Sequence, residues 1–437
     1  MGKIAVIGGG LAGLSSAVLL SEAGYQVELF EAAPKLGGRA YSFHDSLTND
    51  IIDNGQHIMM GCYTETLRFL KLTQSLNRIS VNKNLKINFL SREKGLLKLE
   101  AKSGFYPVNL LLGLLGFKML DWKERLEILK VFSRLFFIKP GLSSNLTVFQ
   151  WLKKERQSDK TIKSFWEILV AGALNTEINI ASAEIFISML KTIFLTGNKA
   201  AAIIIPKTGL SELFCENALD FIIKHGGKVH LSMPVSSLET QDNRIMKIVL
   251  KNSTRDDFDF IISAVPFYAL NKILQRESCF ASINDTLRTS PILSAHLWLK
   301  ENNFAEEFYG LIDSPVHWVF NHDSYITIVI SSADKLIQKS KEEILRLMLA
   351  ELEAFFSFFR KENVYHSIVI KEKRATFVPD IDSPGRRAGI NLNITNLVVS
   401  GDWTNTGLPA TIESAILSGR LAFNEIVRIF GTETERV

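Results

Sequence analysis

The sequence predicts an α/β fold of two interleaved domains, one of them built on a parallel sheet. Three observations predict it. Residues 3–7 read as a short buried strand, 11–23 as a helix closed by Gly24, and 26–30 as a second strand, a complete βαβ unit. The turn between the first strand and the helix is Gly8-Gly9-Gly10-Leu11-Ala12-Gly13. Strand and helix patterns resume after residue 200 and again near residue 397, and 437 residues exceed one ordinary domain.

The glycine spacing has a physical reason. Gly8 permits the tight turn out of the strand, Gly10 admits a phosphate close to the backbone, and Gly13 lets the helix pack against the strand. The helix N-terminus, with Leu11 and Ala12, then faces the phosphate charge. Glu31 stands 18 residues after Gly13, where an acid accepts hydrogen bonds from ribose hydroxyls. Together these predict a dinucleotide site. Glycines at 8, 9, 10 and 13 also argue against reading the apolar start as a secretory signal.

Composition narrows the function classes. Hydrophobic residues make up 46% and charged residues 22%, an ordinary globular balance. The net charge of +4 is scattered along the chain, so no nucleic-acid footprint is expected. The three cysteines, Cys62, Cys215 and Cys279, form no close pair, so neither a zinc site nor a disulfide framework is expected and a reducing compartment fits. No metal site is expected. Residues 104–120 are almost uncharged, but their uncharged core of about 14 residues falls short of the roughly 20 that a spanning helix needs. Val131, Phe132, Leu135, Phe136, Phe137 and Ile138 follow, flanked by Lys130, Arg134 and Lys139. Two readings of the 104–138 stretch stay open: helices that dip into a membrane interface, or a buried helix pair. Strands near 203–206, 229–231, 235 and 258–265, and a final strand and helix at 397–400 and 410–430, complete the pattern. The expected boundaries are 1–80, 200–268 and 385–437 for a discontinuous nucleotide-binding domain. A second domain takes 81–199 and 269–384.

Further motifs carry a resemblance. Leu36-Gly37-Gly38-Arg39, Ser400-Gly401-Asp402-Trp403 and Gly407-Leu408-Pro409-Ala410-Thr411-Ile412-Glu413, in that order, resemble the amine oxidase and phytoene desaturase flavoprotein superfamily. The resemblance implies a Rossmann-like FAD-binding domain of the amine oxidase type with an interleaved α+β substrate domain. It implies that Gly38 and Arg39 approach FAD, with the arginine near the phosphates. Asp402 would meet the ribityl–pyrophosphate region, and Val235 would hold adenine through a backbone strand. Ala410, Thr411 and Ile412 would open a helix toward the flavin ring.

Asp53-Asn54-Gly55-Gln56-His57, then Met59, Met60, Gly61 and Tyr63, with Ala173-Leu174-Asn175-Thr176, resemble the squalene-associated branch, the hydroxysqualene dehydroxylases. The chain departs from that pattern at Ile168 and Glu177, where prolines are implied. The branch implies reductive removal of the hydroxyl of hydroxysqualene and a long isoprenoid substrate; the apolar and basic 104–138 stretch and the cysteine usage add an expected cytoplasmic location with peripheral contact at the inner face of the cytoplasmic membrane. Gly55 would lie against the cofactor, and His57, Asp53 and Asn175 are the candidate catalytic residues. Met59, Met60, Tyr63, Phe165 and Trp166 could line a lipid tunnel or serve as plain core. His317, Trp318 and His322 form a cluster read as strand-face packing. Competing readings are a carotenoid desaturase or isomerase, an amine oxidase and a non-catalytic isoprenoid carrier. No second dinucleotide fingerprint identifies the electron donor.

Overall fold

The computed structural model describes residues 2–82, 84–102, 104–139, 141, 143–274 and 287–434; Cys279 lies outside them. Lys3–Ile7 is the centre of a five-stranded parallel sheet. The strand order is Lys228–His230, Gln26–Phe30, Lys3–Ile7, Phe260–Ser263, Leu397–Val399, with Val6 in register with both Leu29 and Ile262. Lys3–Ile7, Phe260–Ser263 and Leu397–Val399 are short, mostly buried apolar runs, as a sheet covered on both faces requires. Three separate stretches of chain supply them.

The Leu11–Glu22 helix is apolar all round and buried from Leu11 to Ser21, the signature of a helix covered on every side. The long C-terminal helix Ile412–Thr434 crosses it closely. A Cβ on Gly419 would stand 2.4 Å from the Ala12 carbonyl oxygen, so only glycine fits the crossing. The Ser15 and Ser16 hydroxyls donate to the carbonyls of Ile416 and Gly419 at 2.9 and 3.3 Å.

The second layer is a seven-stranded mixed sheet in the order Val364–Phe377, Thr289–Leu299, Tyr325–Ile330, Trp318–Asn321, Phe308–Leu311, Lys86–Ser91, Gly95–Glu100. Its neighbours pair antiparallel except Phe308–Leu311 with Lys86–Ser91. Alternation along Thr289–Leu299 sorts the faces. Leu293, Ala295 and Leu297 pack toward the Lys341–Phe355 helix, whereas Ile292, Ser294, His296 and Trp298 face the other way.

Helices Val108–Leu115, Trp122–Leu135, Val148–Lys154, Glu167–Leu174 and Ala183–Phe194 pack around a third core rich in aromatic rings. Trp166 is enclosed there, its indole N–H donating to Gln157 at 3.0 Å. Among the described residues no helix is long and apolar enough to cross a membrane.

Candidate active site

The site is built on the glycine turn. Gly8 takes a positive φ of 106°, a conformation open to glycine. A Cβ on Gly13 would stand 1.9 Å from the Gly8 carbonyl oxygen, so helix and strand meet only without a side chain there. No side chain caps the helix at Gly10, which leaves the first-turn N–H groups of Leu11 and Ala12 for an anion. Opposite, Gly37 donates to the Gly9 carbonyl at 2.9 Å, and a Cβ on Gly38 would lie 3.1 Å from the Gly10 Cα. Two bare backbones therefore form one cleft.

Glu31 sits over this turn, its carboxylate accepting from Gly9 N–H at 2.6 Å and Ala33 N–H at 2.8 Å. Each oxygen keeps lone-pair capacity for a sugar hydroxyl. Met233 N–H donates to the Glu31 carbonyl and Ser232 N–H to that of Ala33, both at 2.9 Å. These bonds bring the strand that starts at Val235 beside the acid. That strand runs antiparallel to Arg244–Leu250 in a small separate sheet.

At the other end Arg39 forms an ion pair with Asp402, and its guanidinium also donates to the Ala375 carbonyl at 2.8 Å. Burial works against the charge on Arg39, but Asp402 beside it more than offsets this. The Arg39 carbonyl accepts from the Asn54 amide at 2.6 Å, which anchors the loop carrying Gly55 and His57. Gly55 has open space where a side chain would stand.

The Asp402 loop is itself held from below. Arg387, buried, donates to the carbonyls of Asp402, Thr404 and Leu408 and to the Thr406 hydroxyl. Burial lowers its pKa to about 10. The Thr411 hydroxyl accepts from Ser414 N–H at 3.1 Å and caps the last helix, which begins at Ile412. Ala410 packs partly into the core beneath the five-stranded sheet, and the Ile412 side chain is buried in the core on its other face.

His57 is fixed by its Nδ1, which donates to the Gly55 carbonyl at 2.8 Å. A carbonyl can only accept, so Nδ1 carries the proton and Nε2 is the nitrogen left for chemistry. Burial, then Arg39, pushes its pKa below the ordinary value, against the Gly55 carbonyl and Asp53, which raise it. Beyond the loop, Met60 and Ile58 join Phe308, Phe320, Val329 and Ile292 of the seven-stranded sheet in one apolar cluster.

The catalytic roles expected of Asp53 and Asn175 need correction. Asp53 closes the Ile51–Asp53 strand and does not lie in the loop. Its carboxylate accepts from the Ser42 hydroxyl at 2.7 Å and Leu210 N–H at 2.9 Å, and burial raises its pKa. It is occupied in tying segments together. Asn175, at φ 47° after the Glu167–Leu174 helix, commits both amide N–H groups and its oxygen to structural partners. It donates to Ser290 O at 3.3 Å and Thr376 Oγ1 at 3.0 Å and accepts from Ser332 N–H at 2.6 Å. Met59 and Tyr63 pack into the nucleotide-side core, and Phe165 and Trp166 into the helical one, so of the five tunnel candidates Met60 alone joins the apolar cluster beside the loop. Glu177 pairs with Lys335 at 2.7 Å on the surface. His317 accepts from Ser331 N–H at 3.1 Å, and His322 stacks on Tyr325 at 4.5 Å.

Sequence reasoning missed Arg387 and Arg374. Arg374 stands 4.0 Å over the Tyr268 ring, and both line a small cavity with Arg39 and Asp402. No local signal marks either arginine, because each acquires its neighbours only through the tertiary fold.

The model of the flavin containing amine oxidoreductase family matches residues 11–427 of the chain. The chain belongs to this family. It is an FAD-dependent oxidoreductase, and the bare glycine cleft, the uncapped helix and the Glu31 carboxylate fit that cofactor. A hydroxysqualene dehydroxylase of Zymomonas mobilis is 27% identical over 95% of this chain and 97% of its own. The 15-cis-phytoene desaturase of Synechococcus elongatus is 24% identical over 97% and 96%. Among solved structures, an oxidoreductase from Methanosarcina mazei superposes with a TM-score of 0.76 at 18% identity, covering 97% of this chain and 100% of that one.

Proposed function

We propose that this oxidoreductase removes the allylic hydroxyl of hydroxysqualene and leaves squalene. The carbon–oxygen bond breaks, water departs with an added proton, and a hydride takes its place on carbon. When bound and reduced, FAD supplies that hydride. One observation carries the reading: beside the His57 loop, Ile58 and Met60 pack with Phe308, Phe320 and Val329 in one apolar cluster. Such surroundings suit a hydrocarbon chain and keep stray water from a cationic carbon. Full-length likeness to the dehydroxylases supports it. The same reading has the protein work in the cytoplasm at the inner face of the membrane, taking electrons from a separate donor.

Glu31, Val235, Ala12 and the glycines at 8, 10, 13, 38 and 55 would hold the cofactor, with Arg39, Asp402 and the turn from Ala410 to Ile412 at its flavin end. His57 Nε2 is the group we assign to proton delivery at the leaving oxygen. Its pKa is lowered, so the imidazole is neutral at pH 7 and an effective acid in the fraction that is protonated. Turnover by chemically reduced protein should therefore rise as pH falls toward that pKa. His57→Gln should lose at least tenfold in kcat and the pH dependence with it.

The test is anaerobic incubation of reduced holoprotein with hydroxysqualene in detergent, followed by detection of squalene and reoxidised flavin. Unchanged hydroxysqualene, with dehydrogenation of phytoene by the oxidised protein, would establish the desaturase reading that the likeness to the 15-cis-phytoene desaturase of Synechococcus elongatus favours.

A further inference from the structure

The Val108–Leu115 and Trp122–Leu135 helices each bury one face in the same core through Leu114, Ile128, Val131 and Leu135. Their other faces are uncovered: the first shows Val108, Leu111 and Leu112, and the second shows Trp122 and Leu126 among Lys123, Lys130, Ser133 and Arg134. Six of the eight most exposed large apolar side chains among the described residues lie here: Phe105, Leu112, Trp122, Leu126, Phe136 and Phe137. Phe105 and Phe137 are each 82% exposed. Arg125 locks the two helices end to end, donating to the carbonyls of Leu115 and Leu120 at 2.6 and 2.7 Å with its guanidinium 5.2 Å over the Trp122 ring.

The unpaired charge on this surface is positive. Lys102, Lys118, Lys130 and Lys139 are exposed and make no ion pair among the described residues. The nearby acids are engaged elsewhere. Asp121 and Glu124 both hold Lys160 at 2.8 Å, and Glu127 accepts from Ser158 and Thr161. Exposed Phe, Trp and Leu interleaved with unpaired lysines match the interfacial zone of a bilayer with anionic headgroups, where rings sink to the acyl boundary and ammonium groups stay among phosphates.

The same helix reaches inward. Leu110 packs into the apolar cluster that contains Met60 and Ile58, and the Tyr106 hydroxyl donates to the Phe194 carbonyl at 2.6 Å beside it. We infer that the surface formed by residues 105–139 docks on anionic phospholipid and sets this apolar cluster beside the acyl chains. The role of the cluster rests on the lipid-substrate reading; the docking does not.

The test is flotation of the flavin-loaded protein with phosphatidylcholine vesicles, with and without 30% phosphatidylglycerol. Wild type should float with the anionic vesicles, and 0.5 M salt should weaken the association severalfold. Phe105→Ser/Trp122→Ser/Phe137→Ser and Lys118→Glu/Lys130→Glu/Lys139→Glu should each weaken it at least tenfold. Both variants should keep flavin content, Tm and turnover of detergent-dispersed substrate. Equal flotation of either variant would overturn the docking surface. So would failure to float accompanied by a dimer that the serine variant dissolves, which would make this face a contact between two copies. Failure of turnover in detergent, with vesicle binding intact, would count against the proposed reaction alone.

Discussion

Two largely apolar helices in this chain meet opposite fates. The first, Leu11–Glu22, is buried from Leu11 to Ser21 between the parallel sheet and the C-terminal helix. The second, Val108–Leu115, is covered on one side only and leaves Leu112 60% exposed. Their sequences differ little in polarity; what differs is whether later chain returns to cover the second face. Burial is thus a property of topology as much as of composition. An apolar helix left uncovered on one side marks a surface to be explained.

The comparison can be broken or sharpened by experiment. The largest effect is expected on the covered side. Arg387→Leu strips donors from the carbonyls of Asp402, Thr404 and Leu408, and should cost about 4 kcal/mol together with most of the bound flavin. Calorimetry and the absorbance ratio of purified protein measure both. Leu14→Ala, fully enclosed, should cost about 3 kcal/mol, whereas Leu112→Ser should stay within about 0.5 kcal/mol. Equal losses at the two leucines would refute the contrast.

Acid should separate the two sheets. Burial lowers the pKa of His296, His317 and His322 to about 4, from an ordinary 6.5. Between those values the unfolded chain binds protons that the folded chain refuses. The stability they give is therefore present above pH 6.5 and lost as pH falls toward 4, at most about 3 kcal/mol for the enclosed His296. Glu28 in the parallel sheet behaves otherwise. Burial would raise its pKa, but Arg255, Lys3 and His230 pull it from 4.5 down to about 2, so its contribution persists to pH 4.5 and fades only below that. Tm measured against pH should fall first through the histidines, and His296→Asn should flatten that limb.

Asn175→Ala should cost about 2 kcal/mol and leave kcat within twofold below the transition. A large drop in kcat at unchanged Tm would restore the catalytic role that the hydrogen bonds argue against.

The βαβ unit was legible in the sequence because its information is local. Gly8, Gly10 and Gly13 are spaced by the geometry of one turn, and Glu31 by the length of one helix and strand. The 104–138 region was legible as apolar and basic, yet its covering depended on distant chain. Trp166 and Phe165 could not be told from tunnel lining, since an aromatic stripe has the same periodicity in a core and along a cavity. Arg387 and Arg374 carried no signal, because a cation's meaning lies in the carbonyls or rings that the fold brings to it. Asn175 read as a polar group near the site; only its left-handed backbone and three partners reveal a joint.

The crossing of Gly419 over Ala12 has a consequence for synthesis in the cell. Glu31 and Arg39 leave the ribosome early, while Asp402, Arg387's partner carbonyls and the helix that seals the first one emerge last. A nascent chain therefore carries half a cradle with an unsealed apolar helix for most of its translation. Flavin loading is therefore expected to follow translation, and a stop before residue 420 should yield a colourless, protease-sensitive chain rather than a weakened enzyme.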